Sequence, residues 1–568
     1  MNRTFDPAIL RPLGGRFCLR VFWTLILPLV VVAPIAQATD STRPNILFVL
    51  GDDISYRNIS CYEGSYPWVE TPNIDRLAEQ GVRFTRGYIG AWCMPARATL
   101  MTGHHQYGNE SIHLRLARYP SSKFDPEEMP LWPTALRENG YFTGMIGKWH
   151  IGKADGWGTA WDHQKVWNRC RHPGNAHAYY EAQLIETDGG ASEWVDGYST
   201  DFYTDWAIDF VEGKTRSAPE KPWFLWLCYG AAHSPFTPAD RDLDRFPDTF
   251  VPAPADVFPP RQGKPDYMQK IQKWSRGPDG RPIMEKLWMP NGRGEPLFGP
   301  DVSQWNRQYQ QTIASLDDNL GRLMEALEKS GQRENTLVIF AADQGFAFAQ
   351  HGFATKMAPY DANIRPPMIF SRPGHLPEGA VCKHPVSGPD LVSTLLAQAG
   401  TAEPWEMHGY DFSPLLRDPN QKEWEHGAMT AMTGLEWGDS TRKLPKFFKL
   451  TQGVPWWVSY SKGSYKYIRT LQDNEIEELY DLDSDPEELN NLASSPEFYM
   501  MVQDFRAITI AELERTHSPL LKMLPPVREL GVKVDQNAPS EEPDGKKGLL
   551  KRIGIRFTSS GPPEEEEN

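Results

Sequence analysis

The stretch NILFVLGDD, residues 45–53, places five apolar residues in a row directly before a glycine and two aspartates. A short, continuous apolar run is typical of a strand buried on both faces, as in a parallel sheet. The same order, an apolar run followed by polar residues, recurs at 142–150 (FTGMIGKWH), 223–233 (WFLWLCYGAAH) and 337–344 (LVIFAADQ). We therefore expect buried strands whose ends carry polar side chains.

Helical segments lie between these strands. Thr71 and Pro72 suit the cap and the first position of one helix, and apolar residues recur every three or four positions from about 309 to 329. Strands that alternate with helices predict an α/β fold, with a large, mainly parallel or mixed sheet flanked by helices. Ligands of such sheets bind beyond the carboxyl ends of the strands, so the polar residues there should form one site.

The pattern changes after about residue 400. Residues 456–460 and 465–469 predict two paired strands around a Lys-Gly turn, and a helix is expected near 495–515. We predict a large N-terminal domain over 39–400, a smaller C-terminal α+β subdomain with an antiparallel sheet over 401–525, and a charged, disordered tail over 526–568. Residues 240–305, rich in Pro, Gly and charge, are expected to form a long surface excursion near the site.

Residues 1–38 have the pattern of a signal peptide. A basic beginning precedes an apolar run over 21–35 and the small-x-small cleavage motif Ala36-Gln37-Ala38. The basic residues are Arg3, Arg11, Arg16 and Arg20. An uncleaved membrane anchor is the alternative, but the run is short and contains prolines. We predict a periplasmic or secreted protein with no stable membrane span once the signal is removed.

Charge and cysteine content narrow the choice of partners. The formal net charge of −15 argues against a general nucleic-acid binder, and an anionic substrate would need locally clustered cations or a metal ion. Five cysteines follow the signal, and their spacing does not resemble a zinc knuckle. Up to two disulfides could form, and at least one cysteine is left over.

Among these cysteines, Cys93 lies in the stretch WCMPARATLMTG at residues 92–103. Pro95 suits the first turn of a helix, so Cys93 should lie at a helix N-terminus, where the dipole favours an anion and lowers a thiol pKa. A cysteine-nucleophile hydrolase and an inert buried cysteine are two ways to explain the residue.

These residues resemble the signature of the type I sulfatases, in the alkaline-phosphatase-like superfamily. The resemblance covers C-x-P-x-R with the following Thr-Gly, and extends to PNILFVLGDD, GKWHIGK, TLVIFAADQG and YKYI…ELYDLDSDPEELNNL, over about residues 43–515. It implies that a separate formylglycine-generating (sulfatase-maturing) enzyme oxidises Cys93 to formylglycine. One hydroxyl of the hydrated aldehyde would attack sulfur, and the other would then expel sulfate, whereas a serine would keep a stable sulfate ester.

The resemblance also implies a divalent cation beside residue 93. Asp52, Asp53, Asp343 and Gln344 offer oxygen ligands at two strand ends, which suits Ca²⁺ or Mg²⁺ better than zinc. By resemblance the ion is usually Ca²⁺, bound with the modified Cys93, although the family more often has Asn or His where this chain has Gln344. The simpler interpretation of two aspartates after a strand is a turn or cap.

The remaining roles are carried over residue by residue. Arg97 would hold the modified residue 93 and the metal-binding carboxylates, and Lys148 would bind a sulfate oxygen. His150 would accept the proton that releases sulfate, while His233 would contact sulfate and protonate the leaving oxygen. Lys356 is a second cationic candidate at the leaving group. Arg365 is expected to be structural. Four further candidates for substrate contact are His163, His172, His177 and His351.

Three functions follow as alternatives. The first is a secreted sulfatase, acting on sulfated carbohydrate as the 20 tryptophans and the excursion at 240–305 favour, with small aryl or alkyl sulfates as other substrates. The second is a phosphonate or phosphodiester hydrolase on the same scaffold. The third is a non-enzymatic binder of sulfated glycans in which Cys93 is never converted.

Overall fold

A computed structural model describes residues 43–108, 130–284, 301–354, 356–422, 424–433 and 453–528. The predicted signal peptide, and the predicted tail beyond residue 528, lie outside these residues. Within them, no helix has both the length and the apolar character needed to cross a membrane.

The described residues contain short and long strands in four sheets. The strands are β1 (Asn45–Gly51), β2 (Gly81–Phe84), β3 (Gly87–Tyr88), β4 (Phe142–Lys148), β5 (His163–Trp167), β6 (Gln183–Thr187), β7 (Ser192–Val195), β8 (Trp223–Cys228), β9 (Ser275–Arg276), β10 (Pro282–Ile283), β11 (Thr336–Ala342), β12 (Met368–Ser371), β13 (Ala380–Cys382), β14 (Val386–Ser387), β15 (Ala428–Met432), β16 (Trp457–Lys462), β17 (Tyr465–Thr470) and β18 (Glu477–Asp481). The α-helices are α1 (Pro72–Glu79), α2 (Cys93–Thr102), α3 (Pro133–Glu138), α4 (Ser199–Val211), α5 (Val302–Lys329), α6 (Asp361–Ile364), α7 (Gly388–Gln398), α8 (Ser413–Arg417) and α9 (Tyr499–Arg515).

The main sheet has ten strands in the order β13-β2-β12-β11-β1-β8-β4-β5-β6-β7. Its central strands, from β11 to β5, run parallel. Antiparallel pairs add β12 and β2 on one side and β6 and β7 on the other, and β13 then pairs parallel with β2 at the edge. The predicted mixed, mainly parallel α/β sheet is confirmed. Gly51 lies opposite Ala342 and Leu50 opposite Cys228, so the polar residues that follow these strands emerge at one edge.

The continuous apolar run of β1 follows from burial on both faces. Leu47 and Val49 pack into the core beneath α1, α4 and α5, whereas Ile46, Phe48 and Leu50 pack into the core of the opposite face. Each fully buried side chain of this size contributes about 1.5–3 kcal/mol to folding. A polar residue within the run would therefore lose that contribution on either face.

The long helix α5 begins seven residues earlier than its apolar spacing predicts, at Val302 rather than about 309. Asp301 caps it by accepting a hydrogen bond from the Ser303 amide at 2.7 Å. Asn306 and Gln310 are buried in its first turns, where both accept hydrogen bonds from the side chain of Asn58. Because this buried face is polar, the apolar period does not reveal the beginning of the helix.

The small C-terminal sheet pairs β15, β16, β17 and β18 in sequence order, all antiparallel. The predicted strand pair around Lys462-Gly463 is confirmed, as is the helix near 495–515, which is α9. The prediction of a surface excursion over 240–305 is wrong for part of its length, because Tyr267, Met268 and Trp274 are buried; residues 285–300 lie outside the described part.

Buried charged side chains connect this small sheet to the rest of the chain. Lys466 of β17 lies 2.7 Å from Asp361 Oδ1 and 2.6 Å from Glu488 Oε1. Lys264 donates a hydrogen bond to the Tyr480 hydroxyl at 2.8 Å and lies 3.7 Å from Glu478. We call Lys264, Asp361, Lys466, Glu478 and Glu488 the buried ionic network. Asp361 begins α6, shortly after Lys356 in the chain.

Candidate active site

Helix α2 places Cys93 at the C-terminal edge of the main sheet. Trp92 occupies the cap position in an extended conformation, Cys93 is the first helical residue, and Gly103 ends the helix with a φ of 72°. Cys93 is fully buried, and all five cysteines after residue 43 are free thiols. The predicted position at a helix N-terminus is confirmed.

The expected lowering of the thiol pKa is wrong. Burial raises the pKa of Cys93 above its usual value, although Lys148 and Lys356 oppose the shift. Loss of solvent around the sulfur is the largest cause of the shift, and the charges of Asp52 and Asp343 add to it. A thiolate nucleophile is therefore disfavoured at this position.

Carboxylates from two strand ends surround Cys93. Ligand atoms of Asp52, Cys93 and Asp343 lie within 4.8 Å of one another, and so do those of Asp53, Cys93 and His233. Asp53 adopts a φ of 62°, and the Tyr309 hydroxyl donates a hydrogen bond to its carbonyl oxygen at 2.6 Å. This local conformation follows β1 directly and turns both aspartates into the same pocket.

Three cationic side chains neutralise these carboxylates. Arg97 Nε donates to Asp343 Oδ2 at 3.0 Å, and its Nη1 donates to the Lys148 carbonyl at 2.9 Å. Lys148 Nζ forms a buried ion pair with Asp52. Lys356 Nζ lies 2.6 and 2.7 Å from the two oxygens of Asp53 and 3.6 Å from Cys93 Sγ.

The carboxylates differ in how readily they ionise. Burial, then the charge of Asp52, raises the pKa of Asp343 to about 7. Burial also raises the pKa of Asp53, although Lys356 opposes it. At Asp52 burial is outweighed by surrounding cations, Lys148 first, which hold the pKa well below its usual range. Crowded carboxylates with raised pKa values are groups that an additional positive charge would stabilise.

The oxygen atoms of this cluster fit a hard divalent cation. In the described part of the chain, Asp52 Oδ1 and Gln344 Oε1 are buried and accept no hydrogen bond. Gln344 Nε2 contacts Asp53 Oδ1, which leaves the amide oxygen of Gln344 for another partner. Carboxylate and amide oxygens are the ligands that Ca²⁺ and Mg²⁺ prefer.

Two histidines complete the pocket. His233 Nε2 lies 3.6 Å from Asp53 Oδ2, and its Nδ1 lies 2.6 Å from the Ser234 carbonyl oxygen. Burial, then the charge of Lys356, lowers the pKa of His233 well below its usual value. His150 is fully buried, and burial followed by the charge of Arg169 lowers its pKa in the same way.

The sequence-predicted site residues thus come together in one pocket. They are Asp52, Asp53, Cys93, Arg97, Lys148, His150, His233, Asp343, Gln344 and Lys356. Sequence reasoning missed Arg169 and Tyr179, which contact the two histidines. Arg169 follows the end of β5 and obeys the same strand-end rule, but HQKVW has too few apolar residues to be recognised as a strand. Tyr179 carries no sequence signal.

The four further histidines are placed differently. His163 begins β5 opposite Gly144, away from the strand end, and lies 2.9 Å from Asp188. His172 lies 2.8 Å from Glu186, and His351 lies 2.6 Å from Asp256. At His177, burial and then the charge of Arg169 lower the pKa. Arg365 packs 3.8 Å from the Tyr56 ring centre, as expected of a structural residue.

A mixed α/β sheet that gathers carboxylates, cations and histidines around one side chain at its C-terminal edge is the arrangement of the alkaline-phosphatase-like hydrolases. The sulfatase family model matches residues 44–401, and a model described as N-sulphoglucosamine sulphohydrolase, C-terminal, matches residues 349–515. The chain therefore belongs to the sulfatase family, and it is a sulfuric ester hydrolase. The resemblance found in the sequence is confirmed.

Individual relatives agree with this assignment. The chain is 27% identical over 521 residues to the N-acetylglucosamine-6-O-sulfatase of Bacteroides thetaiotaomicron, covering 84% of this chain and 88% of that protein. A solved structure with its substrate D-glucosamine-2-N,6-O-disulfate matches with a TM-score of 0.69 at 24% identity, over 84% of this chain and 99% of the other. The phosphonate monoester hydrolase of Agrobacterium radiobacter shares the fold, with a TM-score of 0.61 at 21% identity, over 84% and 96% of the two chains.

Proposed function

We propose that this sulfatase cleaves a sulfate ester on a glucosamine-type sugar, using a formylglycine made from Cys93 and a bound Ca²⁺. One observation carries the chemistry: Cys93 lies buried within reach of both a carboxylate cluster and cationic side chains. The sugar is suggested by the relative that is an N-acetylglucosamine-6-O-sulfatase. Mg²⁺ is the alternative ion.

The formylglycine and the calcium ion would supply different chemistry. A formylglycine hydrate supplies the hydroxyl that attacks sulfur and the second hydroxyl whose deprotonation expels sulfate. Asp52, Asp53, Asp343 and Gln344 would hold a calcium ion, which would supply positive charge for sulfate oxygens. Cys93 would join that ligand set once it carries oxygen instead of sulfur.

The chain's own residues do the rest. Arg97 holds Asp343 and the Lys148 carbonyl, which fixes the carboxylates against helix α2. Lys148 and Lys356 provide the positive charges that bind sulfate oxygens in a protein whose net charge is −15. His150 accepts the proton released when residue 93 expels sulfate. His233 presents Nε2 to the pocket and, as the imidazolium with a proton on each ring nitrogen, delivers the Nε2 proton to the leaving alcohol oxygen.

We further propose that residues 1–38 export the chain to the periplasm or the medium, and that a formylglycine-generating enzyme is its maturation partner. The catalytic domain would span 39–400, with the smaller subdomain over 401–525. Carbohydrate sulfates outside the cell are then the accessible substrates.

The proposal is tested by mass spectrometry and a substrate panel on one preparation. We expect peptide 92–103 of active enzyme to carry an aldehyde or its hydrate at residue 93, and activity to disappear on dialysis against a calcium chelator and return with Ca²⁺. Release of sulfate from glucosamine 6-sulfates should exceed release from N-sulfated and aryl sulfates. An unmodified thiol at residue 93 in fully active enzyme would contradict the mechanism, and turnover of only non-carbohydrate sulfates would contradict the substrate.

A phosphonate or phosphodiester hydrolase remains the second candidate, because a phosphonate monoester hydrolase shares the fold. Parallel measurements of kcat/KM on an aryl sulfate and an aryl phosphonate monoester separate the two. We expect the sulfate to be preferred by at least tenfold, and the reverse order would favour the second candidate.

A further inference from the structure

The segment between β5 and β6, residues 168–182, brings a tyrosine ring against one of the two site histidines. The rings of Tyr179 and His233 stack with centroids 4.0 Å apart and an angle of 5° between their planes. The Tyr179 hydroxyl also lies 3.1 Å from His233 Nε2. Tyr179 is buried, so both contacts are shielded from water.

The hydrogen-bonding pattern of His233 shows which nitrogen faces the chemistry. Nδ1 lies 2.6 Å from the Ser234 carbonyl oxygen, which can only accept a hydrogen bond, so Nδ1 carries a proton. Nε2 is the nitrogen that points into the pocket, toward Asp53 Oδ2 at 3.6 Å. Proton delivery through Nε2 therefore requires the imidazolium, in which Nε2 is protonated as well as Nδ1, and the Tyr179 hydroxyl lies against this nitrogen.

Arg169 holds Tyr179 in this position. Its Cζ lies 4.6 Å from the centre of the Tyr179 ring, and its Nε donates to the Ala176 carbonyl at 2.6 Å. Its Nη1 lies 3.3 Å from both ring nitrogens of His150. One guanidinium thus fixes the tyrosine, the loop that carries it and the second histidine relative to each other.

We infer that Tyr179 is a positioning residue for leaving-group protonation, because its ring stacks on the face of the His233 imidazole and its hydroxyl lies against Nε2. The inference rests on the proposed sulfate-ester hydrolysis with His233 as the proton donor. Protonation matters for a sugar alkoxide, which is a poor leaving group, and little for an acidic phenol, which leaves unassisted. Loss of positioning should therefore depend on the leaving group.

The test compares Tyr179→Phe, Tyr179→Leu and His233→Ala on a sugar 6-sulfate and on an activated aryl sulfate. General acid catalysis contributes about 10²–10⁴-fold, so we expect His233→Ala to lose that much kcat on the sugar sulfate and much less on the aryl sulfate. Tyr179→Phe keeps the stacking and should lose roughly tenfold in kcat on the sugar sulfate and less than about threefold on the aryl sulfate, at unchanged KM. Tyr179→Leu, which also removes the stacking, should lose more kcat than Tyr179→Phe, again mainly on the sugar sulfate.

A double variant and a control substitution at a second tyrosine test whether the effect is specific to Tyr179 and His233. Tyr179→Phe combined with His233→Ala should be no slower than His233→Ala alone, because both changes act through one proton transfer. Tyr198→Phe, which removes a hydroxyl that donates to the Thr237 carbonyl at 3.0 Å, should leave the ratio of the two activities unchanged.

Equal losses on both substrates in Tyr179→Phe, additivity with His233→Ala, or no leaving-group dependence in His233→Ala itself would overturn the inference. Wild-type enzyme that releases sulfate from neither substrate would instead contradict the proposed function. The two failures are therefore distinguishable.

Discussion

Gln344 is the residue whose proposed role in cation binding is least evident from residue type. Its Nε2 contacts Asp53, while its Oε1 is buried and accepts no hydrogen bond within the described residues. A buried amide oxygen without a partner costs free energy of about 1–3 kcal/mol, which a cation would relieve. The free Oε1 therefore supports Gln344 as a direct ligand, at a position where the family is expected to have Asn or His more often.

Replacing Gln344 tests this assignment. Gln344→Ala should weaken Ca²⁺ affinity by at least about tenfold, because one oxygen ligand and the Asp53 contact are lost together. The measurement is the free Ca²⁺ concentration that restores thermal stability to chelator-treated protein. Gln398→Ala, which removes a hydrogen bond to Ser413 far along the chain, is the control. An unchanged Ca²⁺ requirement in Gln344→Ala would exclude direct ligation.

The end of β4 shows how an element sets the direction of a site residue. Gly147 has a φ of 99°, and a Cβ built there would lie 2.0 Å from the Cys228 carbonyl oxygen of the neighbouring strand β8. Only glycine allows both the conformation and the close approach. The next residue, Lys148, is thereby turned toward Asp52.

Gly147→Ala should therefore strongly destabilise the folded protein. We expect a loss of about 2–5 kcal/mol in the free energy of unfolding, from backbone strain and from separation of β4 and β8. Urea unfolding followed by circular dichroism measures it. Gly174→Ala, where a Cβ would meet no atom within 4 Å, should change stability by less than about 1 kcal/mol. Similar effects of the two substitutions would show that the strand contact is unimportant.

The buried ionic network is the feature that acts across the whole molecule. Lys466 belongs to the C-terminal sheet, yet its partner Asp361 begins α6, close in the chain to Lys356 of the pocket. Burial raises the pKa of Glu488 to about 7, and the charge of Lys466 opposes this rise. Removal of the lysine would leave two acids buried without their main cation.

Lys466→Met should lower the free energy of unfolding by about 3–5 kcal/mol, the usual cost of breaking a buried ion pair from one side. Urea denaturation is the measurement, and kcat should fall with it because the segment carrying Lys356 loses its anchor. Lys165→Met removes a surface pair with Glu193 at 2.8 Å and should cost less than about 1 kcal/mol. A Lys466→Met protein as stable as Lys165→Met would show that the network contributes nothing.

Much of this architecture could be predicted from the sequence, because β1, β4, β8 and β11 are buried on both faces and so have continuous apolar runs. Asp52, Asp53, Lys148, His150, Asp343 and Gln344 could be predicted because they closely follow those runs, whereas Cys93, Arg97 and Lys356 are predicted from the motifs that resemble the family. The beginning of α5 could not be predicted, because its buried residues Asn306 and Gln310 are polar and accept hydrogen bonds from Asn58. Tyr179 and the pKa of Cys93 depend on spatial neighbours that no local pattern contains.

The complete burial of Cys93 constrains when the protein can be activated. Under the proposed maturation, an oxidising enzyme could not reach a side chain with no exposed surface, so it would have to act on a nascent or incompletely folded chain. The strands that anchor the Lys356 segment, β17 among them, are synthesised long after residue 93, which leaves an interval for that encounter. A production host that folds the chain faster than it oxidises residue 93 should therefore yield abundant, well-folded and inactive protein.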